Sequence, residues 1–281
     1  MSKELDQFYT KQEVALKLCG IVKRKLNLNE YTFLEPSAGF GSFVNALRKI
    51  FQETKIEAID LDPKSCDIKQ QDFFSYTPKE QKIITIGNPP FGKRANLAVK
   101  FFNHASEFSD YIAFIVPLQF EKWSVQKNLN KDFKLIFSQI LEPNSFIFNG
   151  KDCSIRCCFQ IWTRCVSDVD LRLKKAPPTT HKSFEMWQYN NTIGARKYFD
   201  KQRYKWDFAV VRQGFYDYNH IILQENELNP KIQYIFFKAY DDKTIVNLKS
   251  LDFESLSRKN TTIPGFGKAD VVAEYKRMFD E

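Results

Sequence analysis

The sequence predicts an α/β protein built on a doubly wound, mostly parallel sheet, followed by a small α+β C-terminal region. Three observations predict this. Segments with helical and strand periodicity alternate over the first 165 residues. The strand segments are continuous apolar runs, as expected where both faces of a parallel sheet are covered. Each run stops at a glycine, a proline or an acid, where a strand has to give way to a crossover.

Taken in order, "KQEVALKLCGIVKRKL" (11–26) spaces Val14, Leu18, Ile21, Val22 and Leu26 along one helical face. "YTFLEPSAGFGSF" (31–43) gives a short strand and a glycine turn, and "GSFVNALRKIF" (41–51) a helix. "KIEAIDLDP" (55–63) is a strand that ends in acids and a proline. "KIITIGNPPFG" (82–92) is a strand broken by two prolines, which cannot donate to a ladder. "NLAVKFFNHASEF" (96–108) reads as a helix and "DYIAFIVP" (110–117) as a strand. "FKLIFSQIL", "SFIFNG" and "CSIRCCFQIWTR" are three further strands. The last two are expected to pair as a hairpin that closes the sheet edge.

The texture changes near residue 166, where "SDVDLRLKKAPPTTHKS" is polar and carries a Pro-Pro. This sets an expected division into 1–165 and 166–281. From Arg172 to Arg212 ten Lys/Arg face three acids, so most of the chain's net charge of +8 sits in this window. Eight aromatics interleave with them. Cations beside aromatic rings suit contact with a nucleic-acid backbone and its bases. Lys174, Lys175, Arg196, Lys197 and Arg203 are the candidate contacts. The plain alternative is a small extension whose aromatics are core and whose lysines are solvated.

Bulk composition excludes several classes. With 281 residues, 43% of them hydrophobic, the chain can bury a sizeable core. No run is long enough to span a bilayer, and "MSKELDQFYTKQ" holds no apolar leader core. The expectation is a soluble, cytoplasmic protein with no membrane partner. Six cysteines form no C-x-x-C pair and three histidines are scattered, so no metal site is expected. Buried free thiols are the reading for the Cys153–Cys165 segment.

The chemistry concentrates at the strand ends. In "EPSAGFGSF" a strand ends at Glu35, and Gly39 and Gly41 let the backbone turn and approach a ligand. The third glycine of a dinucleotide fingerprint is absent, and so is a Walker lysine. An acid ahead of the glycines repels a pyrophosphate but attracts an ammonium. In "AIDLDP" a carboxylate at a strand tip suits ribose hydroxyls. Asp60 is the choice and Asp62 the runner-up, since either also makes a helix cap before Pro63. In "QQDFF" Asp72 suits an adenine amino group and Phe73 its ring, with a turn acid beside a core phenylalanine as the alternative. Together these read as a site for an adenosine with a cationic, amino-acid-like tail, S-adenosylmethionine rather than NAD or ATP.

The corner Asn88-Pro89-Pro90-Phe91 then falls at the crevice of the sheet. The Asn88 side-chain carbonyl and the Pro89 main-chain carbonyl suit one NH2 group. Two acceptors draw its lone pair out of conjugation toward an electrophile, and the prolines keep them from relaxing. Phe91 offers a face to a stacked base.

In this order the motifs resemble the S-adenosylmethionine-dependent DNA adenine-N6 methyltransferases of the gamma arrangement. "DQFYTKQEVA" (6–15) resembles their N-terminal cofactor motif, with Phe8, Tyr9 and Thr10 at cofactor positions and Thr10 at the methionine carboxylate. "EPSAGFG", which includes Glu35, Pro36, Ser37 and Ala38, is similar to the glycine motif, "DLDP" with Asp60 and Leu61 to the ribose motif, and "QDFF" to the adenine motif. "NPPF" is similar to the catalytic loop and "IVPLQF" to the following strand. The resemblance covers about residues 6–165 and implies a Rossmann-like class I methyltransferase fold with a seven-stranded sheet. The family's usual proline after the threonine is replaced by Lys11. A second aromatic is expected to sandwich the base, with Trp123 and Phe120 as candidates.

The expected activity is methyl transfer to adenine N6 in DNA after base flipping, leaving S-adenosyl-L-homocysteine as product. RNA as the substrate is the alternative. Protein glutamine methylation and a non-catalytic nucleic-acid-binding subunit are further readings. A partner subunit remains open, as does the oligomeric state.

Overall fold

In the computed structural model, residues 8–28, 30–259 and 263–280 are described. Asp6 and Gln7 of the expected N-terminal motif lie outside the described residues. The chain divides into two compact units, Met1–Lys174 and Lys175–Glu281. The sequence sets the junction at 165/166. Contacts set it nine residues later, because Arg172 is anchored in the first unit. Its guanidinium donates to the carbonyls of Gln126, Leu129, Asn130 and Phe133 at 2.6–2.9 Å.

The first unit runs β1 (Tyr9–Thr10), α1 (Gln12–Lys25), β2 (Thr32–Glu35), α2 (Ser42–Ile50), β3 (Ile56–Asp60), β4 (Lys69–Gln70) and β5 (Ile83–Gly87). It continues with α3 (Asn96–Ala105), β6 (Tyr111–Pro117), α4 (Trp123–Gln126), β7 (Lys134–Ile140), β8 (Phe146–Phe148), β9 (Lys151–Cys153) and β10 (Cys157–Thr163). Seven strands form the predicted sheet, in the order β4-β3-β2-β5-β6-β10-β7. β2 pairs in parallel with both β3 and β5, and β5 with β6. Only β10 runs against its neighbours, antiparallel to β6 and β7.

The apolar runs make this sheet because each strand feeds two cores. Ile84, Ile86, Ala113, Ile115, Phe159 and Ile161 point to one face, where they meet Leu18 and Val22 of α1 and Phe43 and Leu47 of α2. Ile83, Ile112, Phe114, Val116 and Trp162 point to the other, against Ala98, Phe101 and Phe102 of α3. Alternation across two covered faces requires near-continuous hydrophobicity along each strand. The order in which strands are added reverses between β2 and β5, and this switch point opens a crevice at their carboxyl ends.

One strand pairing differs from expectation. "SFIFNG" and "CSIRCCFQIWTR" do not form the edge hairpin. β10 inserts between β6 and β7, whereas β8 leaves for a separate three-stranded sheet, β1-β8-β9. There Tyr9 faces Ile147 and Thr10 faces Phe146. The physical cause is Phe146, whose ring is wholly buried in the core beside α1 and ties β8 to that side of the unit. Cys157 and Cys158 are buried free thiols, while Cys153 and Cys165 are only partly covered.

The second unit has β11 (Phe184–Tyr189), α5 (Lys201–Tyr204), β12 (Phe208–Gln213), β13 (Gln233–Ala239), α6 (Asp242–Lys249), α7 (Phe253–Arg258) and α8 (Lys268–Phe279). Its sheet is antiparallel, in the order β11-β13-β12. Leu248, Phe253, Leu256, Val271, Val272 and Tyr275 bring the helices into its core, so α8 packs within its own unit. Among the described residues no helix is long and apolar enough to cross a membrane.

Candidate active site

A cleft opens at the carboxyl ends of β2, β3 and β5. Among the described residues, those that line it fall between Phe8 and Phe101. All the predicted cofactor residues line it except Gly41, and so do Asn88, Pro89, Pro90 and Phe91. Gly41 instead caps α2 in a left-handed conformation. Trp123 does not line the cleft and carries the Lys127 ammonium 4.7 Å above its ring. Phe120 is wholly buried in the core. Neither sandwiches a base in this conformation.

The glycine loop is held from both sides. Gly39 has φ +52, and a Cβ there would sit 2.9 Å from the Tyr9 ring, so only glycine meets both demands. The Gly39 N–H donates to Asp60 Oδ2 and the Asp62 N–H to Asp60 Oδ1, each at 2.8 Å. Asp60 therefore organises the loop as well as facing the cleft, and each oxygen keeps a second lone pair for a ligand. Ser37 Oγ donates to the Asn88 carbonyl at 3.1 Å and links the glycine loop to the Asn-Pro-Pro loop. Asp72 caps the turn Phe73–Ser75 by accepting from the Phe74 N–H at 3.0 Å. Phe73 packs on Phe101 at 5.0 Å, which makes an apolar wall beside that carboxylate.

β1 crosses the other side. The Lys11 N–H donates to the Ser145 carbonyl at 3.1 Å, a bond that the family's proline lacks. Its ammonium pairs with Asp152 at 2.8 Å. This keeps Tyr9 and Thr10 against the cleft. The Phe8 carbonyl accepts from Asn88 Nδ2 at 2.8 Å and fixes the plane of that amide.

Three buried polar atoms of cleft residues have no partner among the described residues: Thr10 Oγ1, Glu35 Oε2 and Asn88 Oδ1. Such atoms cost free energy unless a ligand satisfies them. Glu35 is only 2% exposed. Burial pushes its carboxyl well above the usual carboxylate range, and the nearby Asp60 charge adds to this, while the Val44 N–H opposes it. Four acids line the cleft (Glu35, Asp60, Asp62 and Asp72), and among the described residues no lysine or arginine does. A polyphosphate is disfavoured in such a field and a cation is favoured.

Phe91 is set by an unusual turn. Its carbonyl accepts from the N–H groups of Leu97 at 3.1 Å and Ala98 at 3.3 Å. To bring α3 back onto it, Gly92, Arg94 and Ala95 take φ of +65, +55 and +63. A Cβ at Gly92 would sit 2.8 Å from Leu97 Cβ. The two non-glycine residues store strain on the order of 1 kcal/mol each.

Sequence reasoning missed Phe40, Ser42, Phe43, Phe74, Leu97 and Phe101 as cleft residues. Phe40 carries a visible signal. It stands between two glycines, is 57% exposed and meets Tyr9 edge-on at 4.5 Å. Leu97 and Phe101 carry none, because helical spacing marks them only as core.

The basic window of the second unit splits in two. Phe184, Tyr189, Trp206 and Phe208 are core, and the Arg212 side chain donates to the Phe266 carbonyl and the side chains of Asn190 and Gln233. Arg196, Lys197 and Arg203 are exposed, and among the described residues none has an ion-pair partner. Lys197 lies over the Tyr198 ring and Arg203 over Tyr204. Lys174 and Lys175 are exposed, with Lys174 paired to Asp170 at 3.1 Å.

No known family profile matches the chain. A stretch of 70 residues is 30% identical to the type II methyltransferase M.CvrRI of Paramecium bursaria Chlorella virus XZ-6E. It covers 22% of this chain and 18% of that protein, so the chain spans less than a fifth of the curated relative it matches. Among solved structures, the modification subunit of a putative type I restriction enzyme from Vibrio vulnificus YJ016 superposes with TM-score 0.43 at 17% identity, over 58% of this chain and 46% of that one. A putative RNA methyltransferase from Pyrococcus horikoshii superposes with TM-score 0.45 at 16% identity, over 58% and 88%.

Proposed function

We propose that the protein transfers a methyl group from S-adenosylmethionine to the exocyclic N6 amine of adenine in DNA. The observation that carries this reading is Asn88. Its Oδ1 is buried and without a partner, its Nδ2 is held by the Phe8 carbonyl, and two prolines stiffen the chain that follows. An acceptor so placed suits an NH2 group entering the cleft, with the Pro89 carbonyl as its second acceptor.

The other orphaned atoms fit the cofactor. Thr10 Oγ1 suits the methionine carboxylate and Glu35 the ammonium, with ribose hydroxyls on Asp60 and the adenine amino group on Asp72. When bound, S-adenosylmethionine supplies an electrophilic methyl on a sulfonium. Asn88 and Pro89 hold the amine by both hydrogens, so its lone pair is the group left to meet the methyl. Phe91 stacks on the base and offsets part of the cost of taking it from a duplex, which is a few kcal/mol. No general base is needed, because the alkylated nitrogen sheds its proton to water. The match to a type II methyltransferase and the exposed cations of the second unit support a nucleic-acid substrate.

Methyl transfer from labelled S-adenosylmethionine to duplex DNA, single-stranded DNA and total RNA, followed by nucleoside analysis, tests the reading. N6-methyladenine in DNA is expected. Label confined to RNA changes the substrate, and no label in any nucleic acid overturns the reading.

A further inference from the structure

Two cations, Lys93 and Arg94, follow the Asn-Pro-Pro-Phe corner and take no part in the cleft chemistry. They lie between Phe91 and Leu97, both of which line the cleft. Both are exposed, and among the described residues neither side chain has an ion pair or a hydrogen bond. Some other cations of the unit are paired. Lys11, Lys64 and Lys82 pair with Asp152, Asp62 and Glu30. The backbone at Arg94 and Ala95 is left-handed, and such a conformation persists only where its surroundings impose it. Here the imposing contact is the docking of α3 onto the Phe91 carbonyl. One turn thus holds the Phe91 main chain and carries, two and three positions after it, two exposed cations with no ion pair among the described residues.

We infer that Lys93 and Arg94 bind the phosphodiester next to the target nucleotide. The inference rests on the proposed methyl transfer and narrows its substrate to a polynucleotide strand. Successive Cα atoms are 3.8 Å apart, so the two cations start within about 8 and 11 Å of Phe91. A base held on Phe91 carries phosphates on both sides of its sugar, within reach of side chains of this length. The cleft itself holds four acids and no cation, so the rim is where the backbone charge has to be met. The guanidinium suits two phosphate oxygens at once and the ammonium one. An amide substrate on a protein offers no such charge.

The test compares the wild-type chain with a Lys93→Ala/Arg94→Asn double variant. Asparagine tolerates the left-handed backbone, so the turn is kept. Anisotropy of fluorescent 12-mer DNA and RNA strands is read across a salt series, and S-adenosylmethionine affinity by calorimetry. The expected result is at least tenfold weaker strand binding and a salt slope reduced by about one to two, with cofactor affinity unchanged. Arg94→Lys should keep most of the binding. The DNA and RNA arms distinguish which strand is held. Unchanged affinity and salt slope for both strands in the double variant overturn the inference. If the wild type binds strands through these cations but methylates neither, the methyl-transfer reading fails while the phosphate site stands.

Discussion

Asn88 Nδ2 donates to the main-chain carbonyl of Phe8 at 2.8 Å, across 80 residues of sequence, while Oδ1 of the same amide is buried and has no partner among the described residues. The N-terminal strand therefore sets which end of the amide faces the cleft. Asn88→Ala should lower methyl transfer by about two to three orders of magnitude, as loss of one preorganised polar group does. Cofactor affinity should stay within twofold. Asn88→Asp keeps an acceptor but sets an anion against the Phe8 carbonyl. It should lose less activity and lower Tm. Wild-type turnover in the alanine variant would sink the mechanism.

Glu35 predicts a pH dependence. Burial raises its carboxyl above the ordinary value of 4.5, so the folded chain favours the protonated form. Its contribution to stability is complete below that value and is lost as pH rises through the raised one. A bound ammonium reverses the preference. Cofactor affinity should rise with pH over the same window, with a proton released on binding. Glu35→Gln should flatten that profile, weaken binding, and raise the Tm of the ligand-free protein at neutral pH. A parallel pH profile in the variant would remove Glu35 from the cofactor site.

Asp60 holds the glycine loop and, in the proposed reading, also the ribose, so its removal should show two effects. Asp60→Ala leaves the Gly39 and Asp62 N–H groups without their acceptor, at about 1–3 kcal/mol of stability, and weakens cofactor binding as well. Asp60→Asn retains one acceptor and should recover part of the stability. Chemical denaturation and calorimetry on the same samples separate the two. Unaltered cofactor affinity in both variants would withdraw the ribose role.

Arg172 is a structural cation inside a window that reads as a nucleic-acid surface. Arg172→Ala strands four carbonyls and should cost on the order of 3 kcal/mol. Replacing Arg196, Lys197 and Arg203 together by alanine should leave Tm within about a degree and flatten the salt dependence of strand binding. If the triple variant unfolds instead, these cations are part of the unit's structure.

Much of the sheet was readable because its signal is local. Ile83–Gly87 and Tyr111–Pro117 are apolar on both faces, and a short run of that kind between turn residues suits a strand covered on both sides. β8 was misplaced because its partner is the two-residue β1, too short to show any period. The cleft acids and the Asn-Pro-Pro corner were readable because chemistry restricts residue type there. The Phe8 carbonyl was not, since a backbone acceptor leaves no mark on the side chain that carries it. Arg172 misled for a related reason. A guanidinium bound to four carbonyls is spelled like one bound to phosphate.

Among the described residues, those that line the cleft come from the stretch between Phe8 and Phe101. Mutational drift is thereby partitioned. Changes in β6, β10 and β7, or anywhere in the unit from Lys175 onward, replace no wall of the cleft. Exchange of that second unit for another would leave each of these walls in place.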